Sequence, residues 1–293
     1  MEQVQGYAVP EIGWEETEPA EPQVFGREPR LVSRPGPLPV FRRPDSEIDG
    51  ADLPGLTVRA ASIRGDIHRH YGTVRQDAMG LWQDGEGMLL ACVADGVGSK
   101  ELSHIGAVRA CGAAHEHLHN FFAQATDLDW AARCFVENVA SAINNRAAEE
   151  PAAPDSLSTT FLAALIEDLP DQSRHRITLV RVGDSTAWLL REGKWTSSFR
   201  KQGEDDGVID SSTCALPRDV DRVEVRTGYL HAGDMLMLCT DGLSNPMRAP
   251  ELSTGLAAWW SQGPPSLPEF FRQMSFRKKT HDDDRTAVCV WSV

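Results

Sequence analysis

The chain has 293 residues, 41% of them hydrophobic, enough to bury a sizeable core and incompatible with disorder throughout. Its 43 acidic against 29 basic residues give a formal net charge of −14, which argues against a nucleic-acid or anionic-membrane surface, where clustered positive charge supplies the affinity. Six cysteines without a CxxC pair speak against a zinc or disulfide framework, and with no bilayer-length apolar run and no signal pattern a cytoplasmic protein is expected.

Residues 1–55 hold half of the 18 prolines and show no strand- or helix-length apolar periodicity. Glu11, Glu15, Glu16, Glu18 and Glu21 precede Arg27, Arg30, Arg34, Arg42 and Arg43. Such a stretch buries too little apolar surface to offset its ordering entropy, so a flexible, proline-rich tail is expected, followed by one domain over 56–293. Residues 56–64 read as a strand, and 79–82 with 88–94 as a hairpin turned by Asp84-Gly85-Glu86-Gly87. Helices are predicted over 103–125 and 128–148, the second opened by Asp127 and stopped by Pro151. Strands follow at 159–166, 176–182, 186–190, 223–227 and 235–239. Two helices between Pro250 and Lys278 are split by Gly263-Pro264-Pro265, and 287–293 closes the chain as a strand. This order suggests two packed sheets with helices outside.

Acidic residues recur in one kind of context. Asp95 follows the apolar run 89–94, and Asp241 follows 236–240; both are followed by glycine. A carboxylate at the mouth of a buried strand is held rigidly, and the glycine lets the backbone turn and bring its carbonyl close to whatever the carboxylate binds. Asp77 precedes a short strand, and Asp283 lies in Asp282-Asp283-Asp284-Arg285-Thr286 before the last one. Converging carboxylates raise one another's pKa unless hard cations sit between them, and oxygen-only ligation suits Mg²⁺ or Mn²⁺. Two such ions activate a water and clamp both oxygens of an in-line phosphoryl displacement. No nucleophile motif competes with that chemistry. Asp-Gly at a strand end is also a common turn, and an Asp triplet a common solvated loop; the joint order carries the reading.

In that order the chain resembles the type-2C, metal-dependent Ser/Thr protein phosphatases, in their compact bacterial branch. The motifs are Arg64-Gly65-Asp66-Ile67-His68 with Gln76-Asp77-Ala78, then Val93-Ala94-Asp95-Gly96-Val97-Gly98-Ser99 leading to Gly106-Ala107. They continue with Ser158-Thr159-Thr160-Phe161, Val182-Gly183-Asp184-Ser185, Thr240-Asp241-Gly242-Leu243 and Asp283-Asp284-Arg285-Thr286. The resemblance implies an α+β fold, a four-layer α-β-β-α sandwich of two antiparallel sheets flanked by helix pairs. It implies two Mn²⁺ or Mg²⁺ ions: one on Asp77, Asp95 and the Gly96 carbonyl, the second shared by Asp95 with Asp241 and Asp283. Asp283 is chosen over Asp284 because the family's ligand stands three residues before the hydroxylated residue, here Thr286. Asp184 matches an additional metal position. The implied substrate is a phosphoserine or phosphothreonine protein, with a Ser/Thr kinase or its targets as partners and a monomer as the expected state.

Three positions depart from the family. Its phosphate-binding arginine, five residues before Asp77, is Gly72 here, leaving Arg75, His68 or Arg64 as candidates. Gln76 replaces a common glutamate, and Val97 a histidine that protonates the leaving group in eukaryotic members, so a metal-bound water or an unidentified acid takes that task. A catalytically weak regulatory or binding module and a small-molecule phosphatase are the competing readings. Outside the motifs, His115, His117 and His119 read as a solvated helix face, and Trp259-Trp260 as a helix packed on the sandwich. The polar stretch 201–217 lies where the family carries a variable flap.

Overall fold

The computed structural model describes residues 22–27, 29, 43–84, 87–122, 127–169, 174–199 and 214–293. Two antiparallel sheets pack face to face. The first runs β1 (Ser46–Leu53), β2 (Leu56–Ile63), β11 (Arg285–Ser292), β10 (Met235–Cys239), β7 (Thr186–Arg191) and β8 (Lys194–Ser197). The second runs β3 (Ala78–Gln83), β4 (Leu89–Ala94), β5 (Phe161–Asp168), β6 (Arg174–Val182) and β9 (Glu224–His231). Helices α2 (Ser103–Phe122) and α3 (Leu128–Ala147) cover the second sheet, and α5 (Pro250–Trp260) with α6 (Leu267–Met274) cover the first. The α-β-β-α sandwich expected from the sequence is the observed architecture.

The alternation of side chains along a strand explains why the central strands are apolar without interruption. On β4, Leu89, Ala91 and Val93 enter the core between the sheets, whereas Leu90, Cys92 and Ala94 face α2 and α3. On β10, Leu236 and Leu238 face the second sheet, and Met235, Met237 and Cys239 face α5 and α6. Helix α3 buries Ala132, Phe135, Val136, Val139 and Ile143, one face at three- and four-residue spacing, and Asp127 caps it by accepting the Trp130 N–H.

The structure corrects the expected boundary at residue 55. β1 pairs with β2 along its whole length, Ser46 opposite Ile63 and Leu53 opposite Leu56. Its acidic sequence carries no apolar alternation, because this half-buried edge strand is held largely by backbone pairing. Val24 forms a parallel bridge with Arg277, and the Phe25 ring meets Trp259 and Phe276 edge-on at 6.0 and 5.7 Å. Residues 1–21, 28 and 30–42 of the expected tail lie outside the described residues.

Two short helices were also not anticipated: α1 (Asp66–Tyr71) and α4 (Asp241–Ser244). Trp260 is buried, with its indole N–H on Gln273 Oε1 at 2.7 Å, as expected of a helix packed on the sandwich. His115 is exposed and stacks on Trp82 at 5.0 Å, and Glu116 pairs with Arg109. Most of the expected flap, 200–213, lies outside the described residues.

Candidate metal centre

Strand register brings the acidic positions to one end of the sandwich. Ala78 pairs with Ala94, so Asp77 and Asp95 leave neighbouring strands of the second sheet side by side. Cys239 pairs with Ala287, which sets Asp241 next to the turn at 283–285 in the first sheet. Two hydroxyls join the halves: Thr240 Oγ1 and Thr286 Oγ1 both donate to Asp77 Oδ2, at 2.8 and 2.7 Å. With the Thr286 proton committed to Asp77, the Ser62 hydroxyl 2.6 Å from Thr286 Oγ1 is the donor of that pair. Thr240 Oγ1 in turn accepts the Thr286 N–H. Asp77 is thus buried and bonded through one oxygen, and among the described residues no protein donor reaches Oδ1.

Asp95 stands where β4 ends. Its carbonyl accepts the Thr160 N–H and the Thr159 hydroxyl, and its N–H meets Thr160 Oγ1. The Thr-Thr pair of the sequence therefore anchors the ligand's backbone. Gly96 has no room for a side chain, since a Cβ would come within 2.9 Å of Ser103 at the start of α2. Asp241 opens α4 and is steadied by Asn245 Nδ2 at 3.1 Å. A Cβ on Gly242 would lie 1.8 Å from the Asp284 carbonyl oxygen, so only glycine lets α4 press against the 283–285 turn.

The two adjacent aspartates differ in environment. Asp284 is buried and accepts backbone N–H groups from Gly65 (2.7 Å) and Gln76, with His68 Nδ1 at 3.0 Å. It is a structural anchor for the first motif. Asp283 is exposed, and its charge acts on Asp95 and on Asp241. His68, Asp283 and Asp284 place three ligand atoms within 4.8 Å of one another. Both Asp284 oxygens are already taken by backbone N–H donors, and His68 meets the two carboxylates as ion-pair partners, Asp284 at 3.0 Å and Asp283 at 3.7 Å.

Electrostatics show how strongly the cluster lacks positive charge. Asp95 is pushed well above the carboxylate range by burial, then by Asp77, Asp241, Asp283 and Asp184. Asp77 rises to about 8 through burial and Asp284, against the pull of the two threonine hydroxyls. Asp241 rises to about 6 through burial, Asp184 and Asp283. Asp283 is also raised, by desolvation among the packed loops, although its own side chain stays open to water, and then by Asp284. Several carboxylates at a strand end, oxygen-only and short of partners, fit hard divalent cations. Asp184, in the β6–β7 turn held by the Thr160–Ser185 hydroxyl contact at 2.9 Å, adds its charge to Asp95 and Asp241.

The phosphate-binding candidates are placed unequally. Arg75 is fully buried, donating to the Ser62 carbonyl at 2.8 Å and pairing with Glu47 at 2.6 Å, which removes it from any solvent-facing pocket. Its partner sits on β1, the strand hidden in the expected tail. Arg64 is buried against the His68 carbonyl and near Asp45. His68 remains at the site. Burial lowers its pKa, but the Asp284 bond and charge, with Asp283 and Asp77, outweigh this and raise it. Sequence reasoning missed Arg43, whose guanidinium donates to the carbonyls of Arg75 and Asp77, both at 2.6 Å.

A family model described as Protein phosphatase 2C matches residues 64–282. No curated protein matches the sequence significantly. Among solved structures, the catalytic domain of the serine/threonine protein phosphatase PstP with two manganese ions is 23% identical, covering 80% of this chain and 97% of that one at TM-score 0.51. PppA, a regulatory component of the T6SS in Pseudomonas aeruginosa, is 18% identical, with 81% and 98% covered and TM-score 0.54. RsbX in complex with magnesium is 16% identical, with 83% and 98% covered and TM-score 0.53.

Proposed function

Since the chain belongs to the protein phosphatase 2C family and is a metal-dependent protein phosphatase, we propose that Asp77, Asp95, the Gly96 carbonyl, Asp241 and Asp283 hold two Mn²⁺ or Mg²⁺ ions and that the enzyme hydrolyses phosphoserine and phosphothreonine. The observation that carries this is the convergence of carboxylates at one end of the sandwich, their pKa values raised by burial and then by neighbouring carboxylates, with Asp95 acted on by Asp77, Asp241, Asp283 and Asp184. PstP, which is similar in fold, was solved with two manganese ions.

When bound, the ions supply an acidified water and positive charge for the phosphoryl oxygens. The chain's own part is to hold the ligands. Thr240 and Thr286 aim Asp77 by bonding Oδ2, and Thr159 and Thr160 pin the Asp95 carbonyl and amide. Asp284 closes the first motif onto the last by bonding Gly65 and Gln76. His68, paired with Asp284 and with a pKa raised by Asp284 against the effect of burial, is assigned to the substrate phosphate. Asp184 is assigned to a third ion. The substrate is a phosphorylated protein, a Ser/Thr kinase or one of its targets, met by a cytoplasmic monomer; no described helix is long and apolar enough to cross a membrane.

The test is turnover of a phosphothreonine peptide with Mn²⁺ by the native chain and by Asp95→Asn and Asp241→Asn. Both substitutions should abolish hydrolysis while leaving the circular dichroism spectrum unchanged. Undiminished turnover in either variant refutes the ligand assignment. A native chain that binds Mn²⁺ yet hydrolyses only small phosphate esters, or nothing, would make it a small-molecule phosphatase or a binding module.

A further inference from the structure

The segment ahead of β1 reaches the metal centre through Arg43. Its guanidinium forks across one peptide stretch, Nη1 donating to the Arg75 carbonyl and Nη2 to the Asp77 carbonyl. From the opposite edge of the same stretch, the Gln76 N–H donates to Asp284. Extended backbone alternates its polar groups in this way, so the 75–77 segment is clamped from both sides. The two clamps differ in origin: Asp284 belongs to the last motif, whereas Arg43 comes from outside the motif-bearing region.

The base of Arg43 is itself fixed. Pro44 restricts the backbone before it to extended conformations. Asp45 accepts the Arg64 N–H through its carbonyl at 2.9 Å and pairs with Arg69 through its carboxylate at 2.7 Å. β1 begins immediately afterwards, in full register with β2. A short, tethered arm therefore delivers a planar, two-pronged donor that a lysine cannot imitate.

We propose that Arg43 is a positioning residue of the phosphatase, holding the Asp77 peptide so that this carboxylate meets its cation in a single orientation. The segment before β1 is then part of the active site. Arg43 is half-buried, and burial together with the neighbouring Arg75 charge lowers its pKa, while Glu47, Asp284 and Asp77 favour its charged form. The inference rests on the function proposed above, which makes Asp77 a metal ligand.

The experiment is calorimetric titration of Mn²⁺ into the full-length, metal-free chain, beside Arg43→Lys and Arg43→Ala, with thermal melts of each. Both variants should lose about 10- to 100-fold in Mn²⁺ affinity, the loss usual for groups that orient metal ligands. Added guanidinium ion should restore part of the affinity in Arg43→Ala, which a merely structural lesion would not allow. Should Arg43→Ala fail to fold, Arg43→Lys decides alone, because it keeps the charge and loses the fork. Unchanged Mn²⁺ affinity in Arg43→Lys overturns the proposal while the native chain still binds and turns over. A native chain that binds no Mn²⁺ removes the functional reading and this inference with it.

Discussion

At the scale of single residues, the acidic cluster stores a pH dependence whose sign follows from linkage. Asp77 sits at about 8 and Asp241 at about 6 in the folded chain, against 3.8 for an unperturbed aspartate. Between those values the native state holds protons that the unfolded chain releases, so stability without metal falls as pH rises. His68, also raised, contributes in the same direction. Asp45, Asp219 and Asp234, which their arginine partners hold low, finish titrating below that window. The chain in EDTA should therefore melt at progressively lower temperature from about pH 5 to about pH 8, and Mn²⁺ should raise the melting temperature most at the upper end. His104 and His281, lowered mainly by burial, act in the opposite sense at the acid end of that range, so a flat or rising EDTA curve above about pH 6.5 contradicts the cluster. The threonines offer a finer test. Thr240→Val and Thr286→Val each remove a donor that favours ionised Asp77, with little change in volume. Each should weaken Mn²⁺ binding by about tenfold, read by calorimetry; equal affinity in both variants would mean the hydroxyls serve folding alone.

Between elements, close contact without side chains decides the geometry. The start of α4 touches the turn before β11 at Gly242, and Arg285 binds the pair together, donating from Nε to the Gly242 carbonyl and from Nη1 to the carbonyls of Met274 and Phe276. Its guanidinium lies 3.8 Å over the Phe276 ring, linking metal-site loops to the helix layer. Gly242→Ala must therefore push Asp241 and Asp283 apart, costing about 1–3 kcal/mol of stability by overpacking and removing most of the turnover. Gly106→Ala, whose Cβ would strike the Leu157 carbonyl at 1.8 Å beneath α2, is the matched control. It should destabilise comparably while keeping more of its Mn²⁺ affinity; equal losses of affinity in the two variants would deny α4 a special role. At this scale the sequence was most readable where burial imposes a period. β4 and β10 were legible because both faces are covered, and α3 because its apolar stripe and Asp127 cap agree. Helices α1 and α4 have too few residues to show a periodic face. The Asp-Gly strand ends pointed to the metal centre, and the spacing to Thr286, read through the resemblance, favoured Asp283 over Asp284; the burial of Asp284 on two N–H groups left no mark in the one-dimensional pattern.

Across the whole molecule, the least legible part is the one that joins the two ends of the domain. β1 has an acidic, half-buried edge sequence without apolar alternation, and Arg43 is one arginine among several in a proline-rich stretch. Neither carries a periodic signal, so composition alone placed them in a tail. Structurally, β1 supplies Glu47, the carboxylate that pairs with fully buried Arg75. Gly50 of β1 lets the strand lie close against β2 and under α6, where a Cβ would come within 2.5 Å of the Val58 carbonyl oxygen and 3.0 Å of Leu267 Cδ2. A chain beginning at residue 56 would keep every motif of the sequence yet strand the Arg75 charge and bare the β2 edge. Breaking a buried pair by removing one partner typically costs about 3–5 kcal/mol, a large share of a domain's stability. That shortened chain should be poorly soluble or melt far below the native one, whereas a chain beginning at residue 43 should fold. Replacing Glu47 by alanine in the full-length chain isolates the ion pair from the strand, and Glu47 is itself about half-open to water, which places its cost toward the lower end of that range. A truncation at 56 that melts and turns over like the native chain would return β1 to the status of a dispensable tail.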